Sequence, residues 1–342
     1  MTEDQIRDLG PAFAAYLARY RPYLGRAQNA GHFADYCRGL LTDLPRKSVE
    51  PIARAAGTAV RTPQGLPKTR AWDHSAARDR LQGLAADALA AQPDDGLGAI
   101  GIVDEASVVR QGDRTPGVQR QYLGCVGKTQ NGIVTVHPAV ARGRFQARLD
   151  AELYLPASWD ADRDRCRDAG IPDEVTYRAK RRLARGLLGR ADGNGHRLDW
   201  VVFDEGYGGK PEFLAARGPT GQRYVGEVPA NLAVRVGRSA AATAARGVFA
   251  RPAARRVRAR AFRAGHETGP VSAWQAKGAR VQLGHDRRPG HRLVVARSRS
   301  TGEVKYFITN APAGVGGADW WPRGSAGGRW NAPPGWPNRR SG

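Results

Sequence analysis

Apolar residues recur at three- and four-residue spacing through the first part of the chain. Phe13, Tyr16, Leu17 and Tyr20 form one such set, and Phe33, Tyr36, Cys37, Leu40 and Leu41 a second. Each reads as one face of an amphipathic helix. Pro45 and Pro51 punctuate the next segment, where Ser48–Val49–Glu50–Pro51 has the form of a helix start. A last helix, from about Ser75 to Ala91, carries Leu81, Leu84 and Leu89, and Asp94–Asp95–Gly96 closes the region as a turn.

The pattern then changes to short apolar runs. Ala99–Val103, interrupted only by Gly101, ends on Asp104, and Trp200–Phe203 ends on Asp204, Glu205 and Gly206. Such runs suit strands buried on both faces. A carboxylate closing a buried strand needs a compensating partner, either a hydrogen-bonded turn or a cation. Between them, Gln121–Val126 and Gly132–His137 read as strands joined by a turn around Thr129–Gly132, since Asn-Gly favours a hairpin. With Ala99–Asp104 they make three strands, most simply an antiparallel meander. Ala151–Leu155 is a fourth strand-like piece, ending at Pro156.

Pro172–Asp173–Glu174 has the composition of a helix start, with two acids where the helix dipole favours them. Val175, Ala179, Leu183 and Leu187 then form a stripe at four-residue spacing, while Arg178, Arg181, Arg182 and Arg185 lie elsewhere around the helix. Gly193–Asn194–Gly195 ends it and Leu198–Phe203 follows as a strand. A strand–helix–strand crossover implies a parallel neighbour. Three meandering strands, a helix and a parallel strand describe the start of a ribonuclease-H-like sheet, in which the first and fourth strands adjoin. The predicted class is therefore α/β, a mixed sheet that would bring Asp104 next to Asp204.

Gln222–Val228 is a fifth strand candidate. Farther on, Arg255–Arg263 alternates in part between basic and apolar residues, as a strand with one cationic edge would. Val271–Trp274, Ala279–Leu283, Arg292–Ala296 and Val304–Thr309 add short strands, so a mostly β insertion is expected over residues 231–302. Residues 311–342 hold four of the 8 Trp, one Asp (Asp319) and no Glu, with neither helical nor strand period, and no packed structure is expected there. The expected divisions are a helical region over 1–95, the first part of a core over 96–230, the insertion over 231–302, a return strand over 303–312 and an aberrant tail over 313–342.

Composition adds a partner. Lys and Arg number 54 against 32 Asp and Glu, a net charge of +22. Such an excess favours a polyanion, because each phosphate neutralised releases counterions; a coding bias toward Arg and Ala is the plain alternative. Cys37, Cys125 and Cys166 are widely spaced, so neither a zinc site nor a disulfide framework is indicated. The N-terminus is acidic and lacks the apolar core of a signal peptide, and no apolar run approaches membrane-spanning length. A soluble, intracellular protein is expected.

Paired carboxylates on adjoining strands are what phosphodiester chemistry with divalent cations requires. Hard oxygen ligands suit Mg²⁺, and two such ions roughly 3.5–4 Å apart can activate the attacking oxygen and stabilise the leaving one. Rival motifs are weak. Gly206–Lys210 has a superficial likeness to a phosphate loop, but Pro211 stands where Ser or Thr is required. There is no HExxH pair and no GxSxG elbow.

Several stretches resemble DDE-type transposases of bacterial insertion sequences, specifically the 701-type branch. They are YCRGLLTDLPRKSVEPIA (36–53), IGIVDEASVVRQGDRTPGVQRQYLGCVGKTQNGIVTVH (100–137), ELYLPASWDADRDRCRDAGIPDEVTYRAK (152–180) and FDEGYGGKPEFL (203–214), with weaker echoes over 269–281 and 306–312. The resemblance implies a ribonuclease-H-like catalytic domain with a β insertion, dependence on Mg²⁺ (or Mn²⁺), and strand cleavage and transfer at inverted terminal repeats. It implies DNA as partner, both terminal repeats and target, no membrane, room for a homodimer, and a cytoplasmic, nucleoid-associated location. Asp104 and Asp204 match the first two acids of the family's triad as catalytic and metal-holding residues. Arg178, Arg181, Arg256, Arg258 and Arg260 are the DNA-contacting candidates. The third acid, a Glu in an Arg-Trp-x-x-Glu-like block shortly after Asn310–Ala311–Pro312, has no match: Arg329–Trp330 echoes the block, but no acid follows. Glu303 and Asp319 are poor substitutes. A truncated or frameshifted transposase, impaired in catalysis, is expected, with an inactive DNA-binding remnant that occupies transposon ends as the alternative.

Overall fold

A computed structural model describes residues 3–58, 72–93, 96–215, 221–236, 241–250, 260–264, 272–283 and 290–311. The chain divides into two compact units, Met1–Leu84 and Ala85–Gly342. The first contains helices Glu3–Ala18, Ala27–Leu41 and Val49–Ala55 and the start of His74–Ala90. Its core gathers Tyr20, Leu24 and Ala77 with Phe33, Trp72, Leu81 and Leu84, several of them positions whose helical spacing marked them as apolar faces. Gly39 lets the second and third helices touch, because a Cβ there would lie 2.4 Å from Cγ2 of Ile52.

Among the described residues, the second unit is built on one 13-stranded mixed sheet. Its strands are β1 (Ile100–Val109), β2 (Gln119–Leu123), β3 (Lys128–Arg142), β4 (Phe145–Arg148), β5 (Glu152–Leu153), β6 (Trp200–Phe203), β7 (Arg223–Val228), β8 (Ala233–Val236), β9 (Thr243–Ala244), β10 (Arg260–Ala264), β11 (Ser272–Leu283), β12 (His291–Ser298) and β13 (Val304–Thr309). The order is β2-β3-β1-β6-β7-β13-β12-β11-β8-β9, with β4 and β5 also on β3 and β10 on β11. β1 is antiparallel to β3 and parallel to β6, and β6 is parallel to β7. This is the ribonuclease-H-like α/β arrangement the sequence predicts, extended by antiparallel strands beyond β7.

Strand alternation sorts the core into two sides. On one, the Lys180–Gly193 helix lays Leu183, Ala184, Leu187 and Leu188 against Val103, Val136 and Val201. Its last turn adds Ala191 to Ala85, Leu89, Ala99 and Val140. On the other side Ile100, Ile102, Trp200, Val202, Val225, Val294 and Phe307 form a separate cluster. Because β1 and β6 contribute to both clusters, neither strand can slip by one residue without turning its apolar set out of the core. Among the described residues no helix is long and apolar enough to cross a membrane.

Several local expectations are corrected. The hairpin turn falls at Gly124–Gly127, not at Thr129–Gly132, and Gly127 takes the left-handed conformation it needs (φ 66°). Asn131 and Gly132 lie inside β3. There the Asn131 side chain donates to the carbonyls of Arg110 and Gly112, at 3.0 and 2.8 Å, tying down the β1–β2 connection. Nor are the first three strands a simple meander, for β3 lies between β1 and β2 and pairs with both. The helix expected from Pro172 begins instead at Lys180. Arg163 explains this: its guanidinium donates to the carbonyls of Pro172, Asp173 and Val175, acceptors an α-helix would have used internally. Val175 is consequently exposed, while Leu183 and Leu187 are buried. The strands expected over 271–274 and 279–283 fall on the single strand β11, Ser272–Leu283, with Val271 outside the described residues. Arg256, Arg258 and the 313–342 tail lie outside the described residues.

Gly132 is held to glycine by close approach. A Cβ there would lie 2.5 Å from the Val108 carbonyl oxygen and 2.5 Å from Cδ1 of Leu123. Gly132→Ala is expected to destabilise the fold by about 1–3 kcal/mol, as overpacking does, read as a lower urea midpoint; an unchanged midpoint would show that the strands accommodate the methyl group.

Candidate functional site

The site begins where two parallel strands stop being equivalent. Ile100↔Trp200 through Val103↔Phe203 are aligned residue for residue, so the next position on each strand is an Asp. β1 continues through Asp104, which pairs with His137 of β3. β6 instead ends at Phe203, and Asp204 becomes the N-cap of a short helix, Glu205–Gly208, whose Tyr207 and Gly208 N–H groups donate to the Asp204 carbonyl at 3.2 and 3.0 Å.

The glycines around Asp204 serve packing. A Cβ on Gly208 would come within 1.9 Å of the Glu227 carbonyl oxygen, and one on Gly226 within 1.9 Å of the Phe203 ring. The likeness of Gly206–Lys210 to a phosphate loop is therefore accounted for by this turn lying flat on β7. Phe203, Phe213 and Tyr224 fill the space beneath, with ring centroids 5.0 and 5.7 Å from Phe203.

Both Asp side chains reach solvent on one side and are crowded by protein on the others. Burial pushes the Asp104 carboxyl up to about 6; the Glu105 carboxylate adds to this, while the Glu105 N–H, donating at 2.7 Å, and the nearby Arg148 oppose it. Asp204 is likewise pushed up to about 6, by burial first and then by the Asp104 and Glu105 carboxylates. Two acids coupled in this way form a single electrostatic unit. Their donor chemistry suits a hard divalent cation, whose charge would relieve the repulsion. Among the described residues no group of three or more His, Cys, Asp or Glu side chains is arranged to hold a metal ion.

Residues that spacing alone did not single out complete the surroundings. His137, across from Asp104, is pushed down to about 4 by burial and then by Arg148, so it is neutral near pH 7, and its Nε2 lies 2.7 Å from the Thr135 hydroxyl. Glu105 faces the opposite side of the sheet, where Lys180 Nζ lies 2.6 Å from its Oε2. Tyr207 is buried nearby, its phenol pushed up by burial and by the Glu105 carboxylate. The register of β4, which places Arg148 across from Ala139, is what brings that guanidinium toward Asp104. No sequence interval announces it.

Among the described residues, two of the basic candidates have carboxylate partners. Arg178 pairs with Glu152, and Arg181 with Glu212 at 2.9 Å. Arg260 opens β10, opposite Ala276 on β11. Arg256 and Arg258 fall outside the described residues.

Comparison with known proteins agrees with this architecture. The profile of the DDE superfamily endonuclease family matches residues 19–285. Over 173 residues the chain is 32% identical to a protein of Microchaete diplosiphon described as a probable transposase for insertion sequence element IS701. The match covers 50% of this chain and 41% of that protein, so the chain spans less than half the length of the relative it matches.

The raised carboxyls set a pH dependence. An acid whose folded-state pKa lies above its ordinary value of 3.8 stabilises the fold fully below that value, and the contribution is lost as pH rises through about 6. Asp104→Asn is therefore expected to raise the urea midpoint at pH 8 and to match the wild type near pH 4, and to lower the Asp204 pKa measured by NMR titration. A midpoint reduced at pH 8 would show that Asp104 is held by stabilising contacts.

Proposed function

The chain belongs to the DDE superfamily endonuclease family, and from that premise we propose that it acts on DNA as a transposase of the 701 type, with Asp104 and Asp204 as catalytic residues that hold Mg²⁺ or Mn²⁺. What supports the reading is the parallel alignment that ends at Val103 and Phe203, one residue before Asp104 and Asp204 on adjoining strands. A divalent ion held there would supply Lewis-acid polarisation of a phosphodiester and charge for the departing oxygen. The chain's own part is to keep both carboxylates on one side, to hold Glu105 apart through Lys180, and to keep His137 neutral so that it adds no competing positive charge.

The net charge of +22 supports a DNA partner, terminal repeats and target alike. Arg178, Arg181, Arg256, Arg258 and Arg260 are proposed as phosphate contacts; Arg178 and Arg181 would exchange Glu152 and Glu212 for phosphate or share their remaining donors. In this reading residues 1–95 help bind DNA, 96–230 with 303–312 make the catalytic core, and 231–302 are the insertion. A homodimer working on paired transposon ends, at the nucleoid in the cytoplasm, completes the proposal.

Catalysis by this 342-residue chain is proposed to be weak. Residues 311–342 contain no Glu and only Asp319, so the third acid of the family pattern has no counterpart there. That observation favours a second reading, a DNA-binding protein that occupies transposon ends without cutting them.

Gel shifts on terminal-repeat and random duplexes, with cleavage assays in Mg²⁺, test both readings. Preference for terminal repeats is expected, with affinity falling by about tenfold or more between roughly 50 and 200 mM salt, and little cleavage. Equal affinity for both duplexes would overturn the transposase reading, and ready cleavage the proposed weakness. Asp104→Asn and Asp204→Asn should each lower Mn²⁺ affinity in calorimetry by about tenfold or more and leave DNA affinity nearly unchanged; unchanged Mn²⁺ binding would reject the metal assignment.

A further inference from the structure

The segment between Ile171 and the Lys180–Gly193 helix is neither strand nor helix, yet it is held in place. Arg163 grips the carbonyls of Pro172, Asp173 and Val175 at 3.1–3.3 Å. The segment presents Val175, Tyr177 and Arg178 at the surface, with Tyr177 42% exposed. Behind Tyr177 stands Tyr154, ring centroids 6.2 Å apart and planes at 69°, a perpendicular contact that occupies at most one face of the outer ring. Lys180 Nζ lies 5.3 Å from the centroid of the Tyr154 ring and 2.6 Å from Glu105 Oε2, and Glu105 follows Asp104 in β1. The aromatic pair is thus joined through Lys180 to Glu105 on β1, on the face of the sheet away from the Asp104 side chain.

An exposed aromatic ring flanked by cations is suited to one class of ligand. Its π-face can stack on a nucleobase, and the neighbouring Arg178 and Lys180 can meet the adjoining phosphates. Arg178 has five N–H donors and one carboxylate partner, Glu152, so donors remain for a phosphate. A base inside a duplex is already stacked on both sides, so only an unpaired base could use the ring. We propose that Tyr177 is a stacking platform for an unpaired nucleobase at the end of a bound DNA strand, with Arg178 and Lys180 facing its backbone. The inference rests on the proposed action on DNA and names the strand feature that this surface receives.

The test compares a blunt hairpin duplex with the same hairpin carrying a short 3′ thymine overhang, bound by the full chain without metal. The wild type is expected to favour the overhang by about tenfold. Tyr177→Ala should abolish the preference and leave blunt-duplex affinity unchanged, and Tyr177→Trp should keep it. Tyr177→Leu, which can still pack on Tyr154 but has no π-face, should lose the preference with its thermal unfolding unchanged, an outcome that a purely structural role for the ring would not give. A 4-thiothymine in the overhang should crosslink to the Tyr177 segment. A wild type that binds both hairpins equally, or a Leu variant that retains the preference, would overturn the platform while leaving the DNA-binding reading intact. Failure to bind either hairpin would remove both.

Discussion

Everything in the second unit depends on β1 and β6 being parallel and in register. A parallel neighbour demands a crossover, and here the crossover includes the Lys180–Gly193 helix, whose apolar stripe packs on the strands it joins. With Val103 aligned to Phe203, backbone pairing brings the chain to Asp104 and Asp204 at the same level of adjoining strands. That matters because the acids oppose their own placement. Each carboxyl is raised by burial, and Asp204 further by its neighbour, so the sheet must supply the free energy that keeps like charges together. Apolar residues on both sides of the two strands provide it.

The arrangement of the acids was legible from the sequence because its signal is short-range and repeated. Two apolar runs each end on Asp, with a helical stripe before the second, and the strand–helix–strand crossover completes the inference. The turn and helix boundaries were not legible, for identifiable reasons. Asn131–Gly132 looks like a hairpin turn because both residues favour left-handed backbone, but here the amide is used for its side-chain hydrogen bonds and the glycine for its lack of bulk. Pro172–Glu174 looks like a helix start until a guanidinium from nine or more positions earlier takes its carbonyls. His137 and Arg148 join the site only through the pairing of β3 with β1 and β4.

The glycine-rich turn after Asp204 shows how one pattern can suggest two chemistries. A run of glycines beside a lysine invites comparison with phosphate cradles. The structure accounts for Gly208 and Gly226 through steric contact with Glu227 and Phe203, which lets β7 lie close beneath the turn. Family membership then rests on the whole span from 19 to 285, of which this turn is one part.

The grip of Arg163 has a consequence for how the surface around residues 172–178 can change. Three of its bonds reach backbone oxygens, which every amino acid carries, so the shape of this bend is largely indifferent to the side chains mounted on it. Residues there can be exchanged without unmaking the bend, so this surface can acquire new contacts while the strands beneath stay as they are. One guanidinium thereby separates what this bend displays from what holds it in place.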